Sequence, residues 1–304
     1  MTAARKCSQI RWNDSRLTKR HILLLTMLAE HSAMTSEHLT AFLFGSPRRC
    51  QANMAYLKGA GLVRELSGLP RPAVGSPRRL YALTADGARV VSGSGPDAWA
   101  LRKRVRRVGG SGLHLRHTVA VNDFFTKLYL AAGADGGHLQ WFGEAACHVY
   151  YADARSGRPQ LTPDGAGTLR LGAIETRFFL ELDRGTERQQ WLSGKYRRYL
   201  RRFAGRIGAE TIHVLFAVPD GRRERVIHNV GQAALRGAVR PHPEFWTANQ
   251  YDLGALGPLG AVWAKVPGGW GTRARLSEMG EGGQPPPSLW LPASEAATDM
   301  GVAA

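Results

Sequence analysis

Residues 16–92 are cut into short segments whose hydrophobic spacing changes at each break, and this pattern leaves few folds open. In RLTKRHILLLTMLAEH the apolar residues Leu17, Ile22, Leu24, Leu25 and Leu28 keep helical spacing, with Ser15 as the expected cap. Thr35 precedes a second helix, SEHLTAFLF. His38 stands where a capping box wants Glu or Gln, so the cap alone is expected. Pro47 fits the first turn of a third helix, PRRCQANMAYLKGAGL, which Gly59 and Gly61 end. VREL and RRLYALT read as two short strands joined by the Gly/Pro segment SGLPRPAVGSP, and ADGARVVSG as a last short helix. Three helices followed by a β-hairpin are the winged variety of helix-turn-helix, which lays its third helix in the major groove of DNA.

Charge points the same way. The chain of 304 residues carries a formal +17, and residues 1–110 hold 19 Lys and Arg against 6 Asp and Glu. The natural partner of such a front end is a polyanion. Arg48, Arg49, Gln51, Asn53 and Lys58 on the third helix suit base edges and phosphates, and Arg71, Arg78 and Arg79 place charge on the wing. A winged helix used for protein contacts, with the arginines on a solvated face, is the plainer alternative.

Residues 94–112 read as a linker. SGSGPDAWA is rich in small and turn-forming residues, and five basic residues, Arg104 among them, crowd the six positions from Arg102 to Arg107. The linker is a solvated basic hinge, a phosphate-tracking arm, or both. The expected domains are therefore 1–93, which binds DNA, and 113–267, with an irregular, disordered tail over 268–304.

Other classes are excluded by composition. The longest nearly apolar run, His21 to Ala29, is far short of a bilayer span, and the basic N-terminal stretch lacks the apolar core of a secretory signal. Cys7, Cys50 and Cys147 are too few and too scattered for a disulfide framework or a cysteine zinc site, so the expected compartment is the cytoplasm. There is no Gly-rich loop ending in Gly-Lys-Ser/Thr.

The second domain opens with the helix LHLRHTVAVNDFFTKLYLAAGA. Strand-like segments follow in HLQWFGEAACHVYY, TPDGAGTLRL and TRFFLELD, then a basic helix over about Thr186 to Arg206, the strand TIHVLFAVP, the helix RERVIHNVGQAAL, and the strand-like FWTANQ and GAVWAKV. The order predicts an α+β chain with a mixed sheet flanked by helices. Asp164 follows Pro163 at a strand start, and Glu144 is expected on the preceding strand. Glu181 and Asp183, two apart at a strand end, share one face. The helix after them offers Lys195, Tyr196 and Tyr199. Asp164 and Glu181, with Glu144 or Asp183, supply the oxygen ligands that Mg²⁺ or Mn²⁺ requires, and a bound ion would activate water. Equally, strand-end acids pair with nearby arginines, here Arg177, Arg184 and Arg188.

Weaker signals accompany these. His114 and His117 stand three apart on a helix, a spacing open to a metal pair but commoner in packing or phosphate contact. Gly185-Thr186 is a candidate phosphate site at a helix start. Arg197, Arg198, Arg201 and Arg202 either track a backbone or form a solvated face. Trp141 and Trp191 read as core or edge residues rather than stacking platforms.

The helical start, the helix around Leu113–Phe125, the block LTPDGAG and above all FFLELDRGTERQQWLSGKYRRY resemble the replication-relaxation family of plasmids and integrative elements. The resemblance spans about residues 15–220. Through it the chain is similar to MOBC-type relaxases, with a restriction-endonuclease-like PD-(D/E)XK domain. The resemblance implies that Pro163-Asp164 is the PD element, Asp164 and Glu181 are catalytic metal ligands, and Glu144 is an accessory acid. Asp183 occupies the usual lysine position, Lys195 substitutes for that lysine in space, and Tyr199 or Tyr196 is a nucleophile. Metal-dependent nicking or relaxation of double-stranded DNA at an element's origin is the expectation, alongside other mobilisation or replication proteins. The alternative is a DNA-binding transcriptional regulator or replication accessory factor whose nuclease-like domain no longer cuts.

Overall fold

The computed structural model describes residues 17–280, apart from 68, 70–77, 93–100, 102, 104, 106–107, 109–111, 152–159, 207 and 209–211. Helix α1 (Lys19–His31), strand β1 (Ala33–Thr35), helices α2 (Ser36–Leu43) and α3 (Pro47–Gly59), strands β2 (Val63–Leu66) and β3 (Leu80–Leu83) and helix α4 (Ala85–Ser92) make the first unit. β3 lies between β1 and β2 and pairs antiparallel with both. Thr18, not Ser15, caps α1. The capping boxes of α1 and α2 are complete, because a histidine does the work of the glutamate. The Thr35 hydroxyl accepts from the His38 amide at 3.3 Å, and His38 Nδ1 accepts from the Thr35 amide at 3.2 Å. His21 and Thr18 repeat the pattern.

The second unit comprises α5 (Gly112–Ala134), β4 (His138–Gly143), α6 (Glu144–Tyr150), β5 (Gly165–Leu171), β6 (Ile174–Leu182), α7 (Gln189–Phe203), β7 (Ile212–Val218), α8 (Gly221–Leu235), β8 (Glu244–Asn249), α9 (Gln250–Leu256) and β9 (Ala264–Val266). The sheet is mixed, in the order β4-β5-β6-β7-β8-β9. β4, β5 and β6 form an antiparallel meander, β6, β7 and β8 run parallel through the crossover helices α7 and α8, and β9 returns antiparallel.

Strand β6 is buried on both faces, as a central strand under helical cover must be. Phe178, Leu180 and Leu182 join the core under α5, while Phe179 joins the core under α7 and α8. The first core is continuous with that of the first unit, running from Leu24, Leu28, Met34 and Phe42 through Phe125 and Trp141 to Phe178. His31 stacks on Trp141 at 3.5 Å between ring centres. Polar contacts reinforce this junction: Asn122 Nδ2 donates to the Ala33 carbonyl at 2.7 Å, and Arg64 donates to the carbonyls of Val105 and Val108 at 3.2 and 2.7 Å. The two units thus share one close-packed core.

Further sequence expectations change in the second unit. Glu144 begins a helix rather than lying on a strand, because β4 ends at Gly143. Helix α9, capped by Asn249, had no counterpart in the sequence reading. Residues 268–280, read as the start of a disordered tail, pack on the body: Leu276 and Met279 are buried, and Arg273 bridges to Glu224 at 2.6 Å. The rest of that tail lies outside the described residues.

Candidate functional site

The junction of β5, β6 and α7 gathers the charged groups. Asp164 immediately precedes β5, and its Oδ2 accepts from the Leu182 amide at 2.7 Å. Gly165, the next residue, lets α5 pack closely on β5, since a Cβ there would lie 2.7 Å from the Phe125 ring. Asp164 Oδ1 meets His117 Nε2, from α5, at 2.9 Å. Burial opposes a charged imidazole, but the Asp164 bond and the charges of Asp164 and Glu144 outweigh it and hold the His117 pKa above its usual value.

Glu181, buried near the end of β6, receives the Tyr199 hydroxyl at 2.7 Å and pairs with Lys195 at 2.8 Å. Burial pushes the Glu181 pKa up, the Lys195 charge pulls against it, and the Asp164 charge adds to the rise. Lys195 also meets Glu187 at 3.1 Å. Against the cost of burial, Glu181, Asp164 and Glu187 keep Lys195 protonated, its pKa well above the lysine range. An open groove of about 490 Å³ exposes part of this cluster and is lined by Thr162, Asp164, Thr186, Glu187, Arg188, Trp191, Lys195 and Arg198.

A family model, described as replication-relaxation, matches residues 25–214, from within α1 to within β7. The chain belongs to the replication-relaxation family. Membership points to a role in the replication of a plasmid or other mobile element. No curated protein and no solved structure matches the chain. Among the described residues no helix is long and apolar enough to cross a membrane.

Within this family member, Asp164, Glu181 and Lys195 come together from three elements. Glu144 lies near His117, its Oε1 3.6 Å from His148. Asp183 shares the helix-covered side with Glu181, as two-residue spacing requires, yet turns to a different helix. Its Oδ2 accepts from Arg223 of α8 at 2.7 Å, and its Oδ1 accepts from the Gly185 amide at 2.7 Å. The arginine partner is thus Arg223, rather than Arg177, which pairs with Glu175, or the sequence-adjacent Arg184 and Arg188. That engaged amide also removes Gly185-Thr186 as a ready phosphate cradle, and α7 begins later, at Gln189.

The nucleophile expectation for Tyr199 and Tyr196 is corrected. Both phenols are buried, Tyr196 donating to the Ile227 carbonyl at 3.3 Å, and burial drives both pKa values upward, most strongly in Tyr199 beside Glu181. A phosphodiester cannot reach either oxygen in this arrangement. The helical spacing of His114 and His117 left packing, phosphate contact and a metal pair open; the fold gives His117 a carboxylate partner, Asp164, that the spacing did not name.

On the first unit, Arg48, Arg49 and Gln51 lie on the exposed face of α3, and Arg79 is exposed at the start of β3. Asn53 donates to the Arg49 carbonyl at 2.8 Å, and Lys58 pairs with Glu65 at 2.7 Å. Arg78 departs from its expected role. It grips Asp123 of α5 through two bonds of 2.5 and 3.0 Å and also contacts Thr35. That guanidinium joins the two units instead of facing DNA. Arg71 and Arg104 lie outside the described residues.

Proposed function

We propose that this protein binds mobile-element DNA, with α3 seated in the major groove and the DNA strand passing to the groove beside α7. The carrying observation is that an exposed basic helix face and a charged groove belong to units joined by a shared core. In this reading the first unit is a winged helix: β1 lies between the first two of three helices, and the β2–β3 hairpin that follows the third supplies the wing. The second unit is a PD-(D/E)XK-like domain, with Asp164 just before β5, Glu181 on the adjacent β6, and Lys195 supplied by the following helix in place of the strand lysine.

Mg²⁺ or Mn²⁺ is the cofactor such a domain implies. The donor set does not fit an ion as arranged. His117 and the Leu182 amide engage Asp164, and Lys195 and Tyr199 engage Glu181. Among the described residues no group of three His, Cys, Asp or Glu side chains is placed to hold a metal. One observation favours strand nicking as a second reading: Asp164 and Glu181 come together with Lys195 beside an open groove, close enough for the Asp164 charge to raise the Glu181 pKa.

Supercoiled DNA carrying the element's origin tests both readings. Binding should fall sharply in Arg48→Ala/Arg49→Ala, and unchanged affinity would overturn the proposal. Open circles formed with Mg²⁺ or Mn²⁺ by the wild type, and lost in Glu181→Gln, would establish nicking. Bound but intact supercoils would leave a binding protein with a nuclease-like domain that does not cut.

A further inference from the structure

An exposed tryptophan stands on the wall of the charged groove. Trp191 is 61% exposed, whereas Trp141, Trp246 and Trp263 are buried. The sequence reading placed Trp191 with core or edge residues, but its neighbour Leu192 takes the core position and turns the indole outward. Trp191, Lys195 and Arg198 follow one another at four and three residues, so they share a face of α7, and Arg188 stands at its N-cap three residues before Trp191. All four line the groove. They cover about 15 Å of its wall, at 1.5 Å per residue.

An indole in water with a guanidinium on either side is a poor stability device, since it leaves a large ring uncovered. It is a good receptor for unpaired nucleotides. Every base has a π-face on which an aromatic ring can stack, and flanking cations follow the phosphates. A duplex offers no such face, because its bases stack on one another and show only their edges. The carboxylates inside the groove repel phosphates, so the backbone is held along the α7 wall, at Arg188 and Arg198, rather than over Glu187.

Resting on the reading of this groove as a DNA site, we propose that Trp191 stacks an unpaired base. The groove then takes single-stranded or locally melted DNA, with Arg188 and Arg198 on the flanking phosphates. The duplex remains with α3.

Fluorescence anisotropy of a labelled oligothymidylate and of a labelled duplex, each titrated with the full chain, tests this. Trp191→Ala should weaken single-strand binding about tenfold, Trp191→Phe should restore much of it, and duplex affinity should not change. Arg198→Glu should weaken single-strand binding and reduce its salt dependence. Melting temperatures close to wild type are expected for all three, since the side chains changed are not core residues. Equal single-strand affinity in Trp191→Ala and wild type would overturn the stacking proposal alone. An equal loss on single strand and duplex would overturn it too. A wild type that binds neither form would overturn the DNA reading beneath it.

Discussion

His117 Nε2 lies 2.9 Å from Asp164 Oδ1, tying the long helix α5 to the turn that starts β5. The folded state raises the His117 pKa above the ordinary 6.5. Folding therefore favours the protonated ring, and the stabilisation is complete below the unfolded value. It is lost as pH rises through the folded value. His117→Gln should cost about 1 kcal/mol at pH 6 and less at pH 9, measured by denaturant unfolding. A pH-independent difference would argue against the charged pair.

The Asp123 carboxylate joins the two units by accepting from His38 at 2.7 Å and from Arg78. Burial works against its charge, but these two donors hold its pKa down at about 2. The stabilisation is present above the ordinary value of 3.8 and disappears as pH falls toward 2. With the carboxylate partly exposed, Asp123→Asn should cost about 1–2 kcal/mol at neutral pH, and wild type and variant should converge in acid.

Arg48 and Arg78 should separate binding from stability. Arg48→Ala is expected to weaken DNA binding by about 1–3 kcal/mol while leaving the melting temperature unchanged. Arg78→Ala should lower the melting temperature, because it leaves Asp123 with one donor fewer. The same effect in both variants would show that the assignment of Arg78 to the junction is mistaken.

Glu181 and Lys195 form a buried pair, so removing one partner leaves the other uncompensated. Lys195→Ala should cost about 3–5 kcal/mol. Glu181→Gln/Lys195→Met should recover much of that loss, since neither residue is then charged. Urea unfolding of the three proteins reads the coupling directly.

Tyr199→Phe removes a hydroxyl from a buried carboxylate oxygen and should destabilise by about 1–3 kcal/mol. It should not abolish any covalent protein–DNA adduct. Loss of an adduct in a variant of unchanged stability would mean that the phenol reaches DNA after all.

Most of the secondary structure was legible in the residue order. Helical spacing marked α1, α2, α3 and α5, turn residues bounded β2 and β3, and the apolar run before Glu181 marked a strand. Asp164, Glu181 and Lys195 stood out because each occupied a distinctive position in its segment. Local periodicity determines such things, since it depends on neighbours within a turn or a pleat. The partner of each charge was not legible. Arg78 read as a wing residue and is bonded to Asp123, forty-five positions away. Asp183 belongs to Arg223, Tyr199 is sealed beneath Glu181, Trp191 faces out, and His117 meets Asp164. Pairing between distant side chains follows from which strands adjoin and which helix covers them. Burial then enforces it, because a charge removed from water must find a counter-charge wherever the chain's packing has placed one.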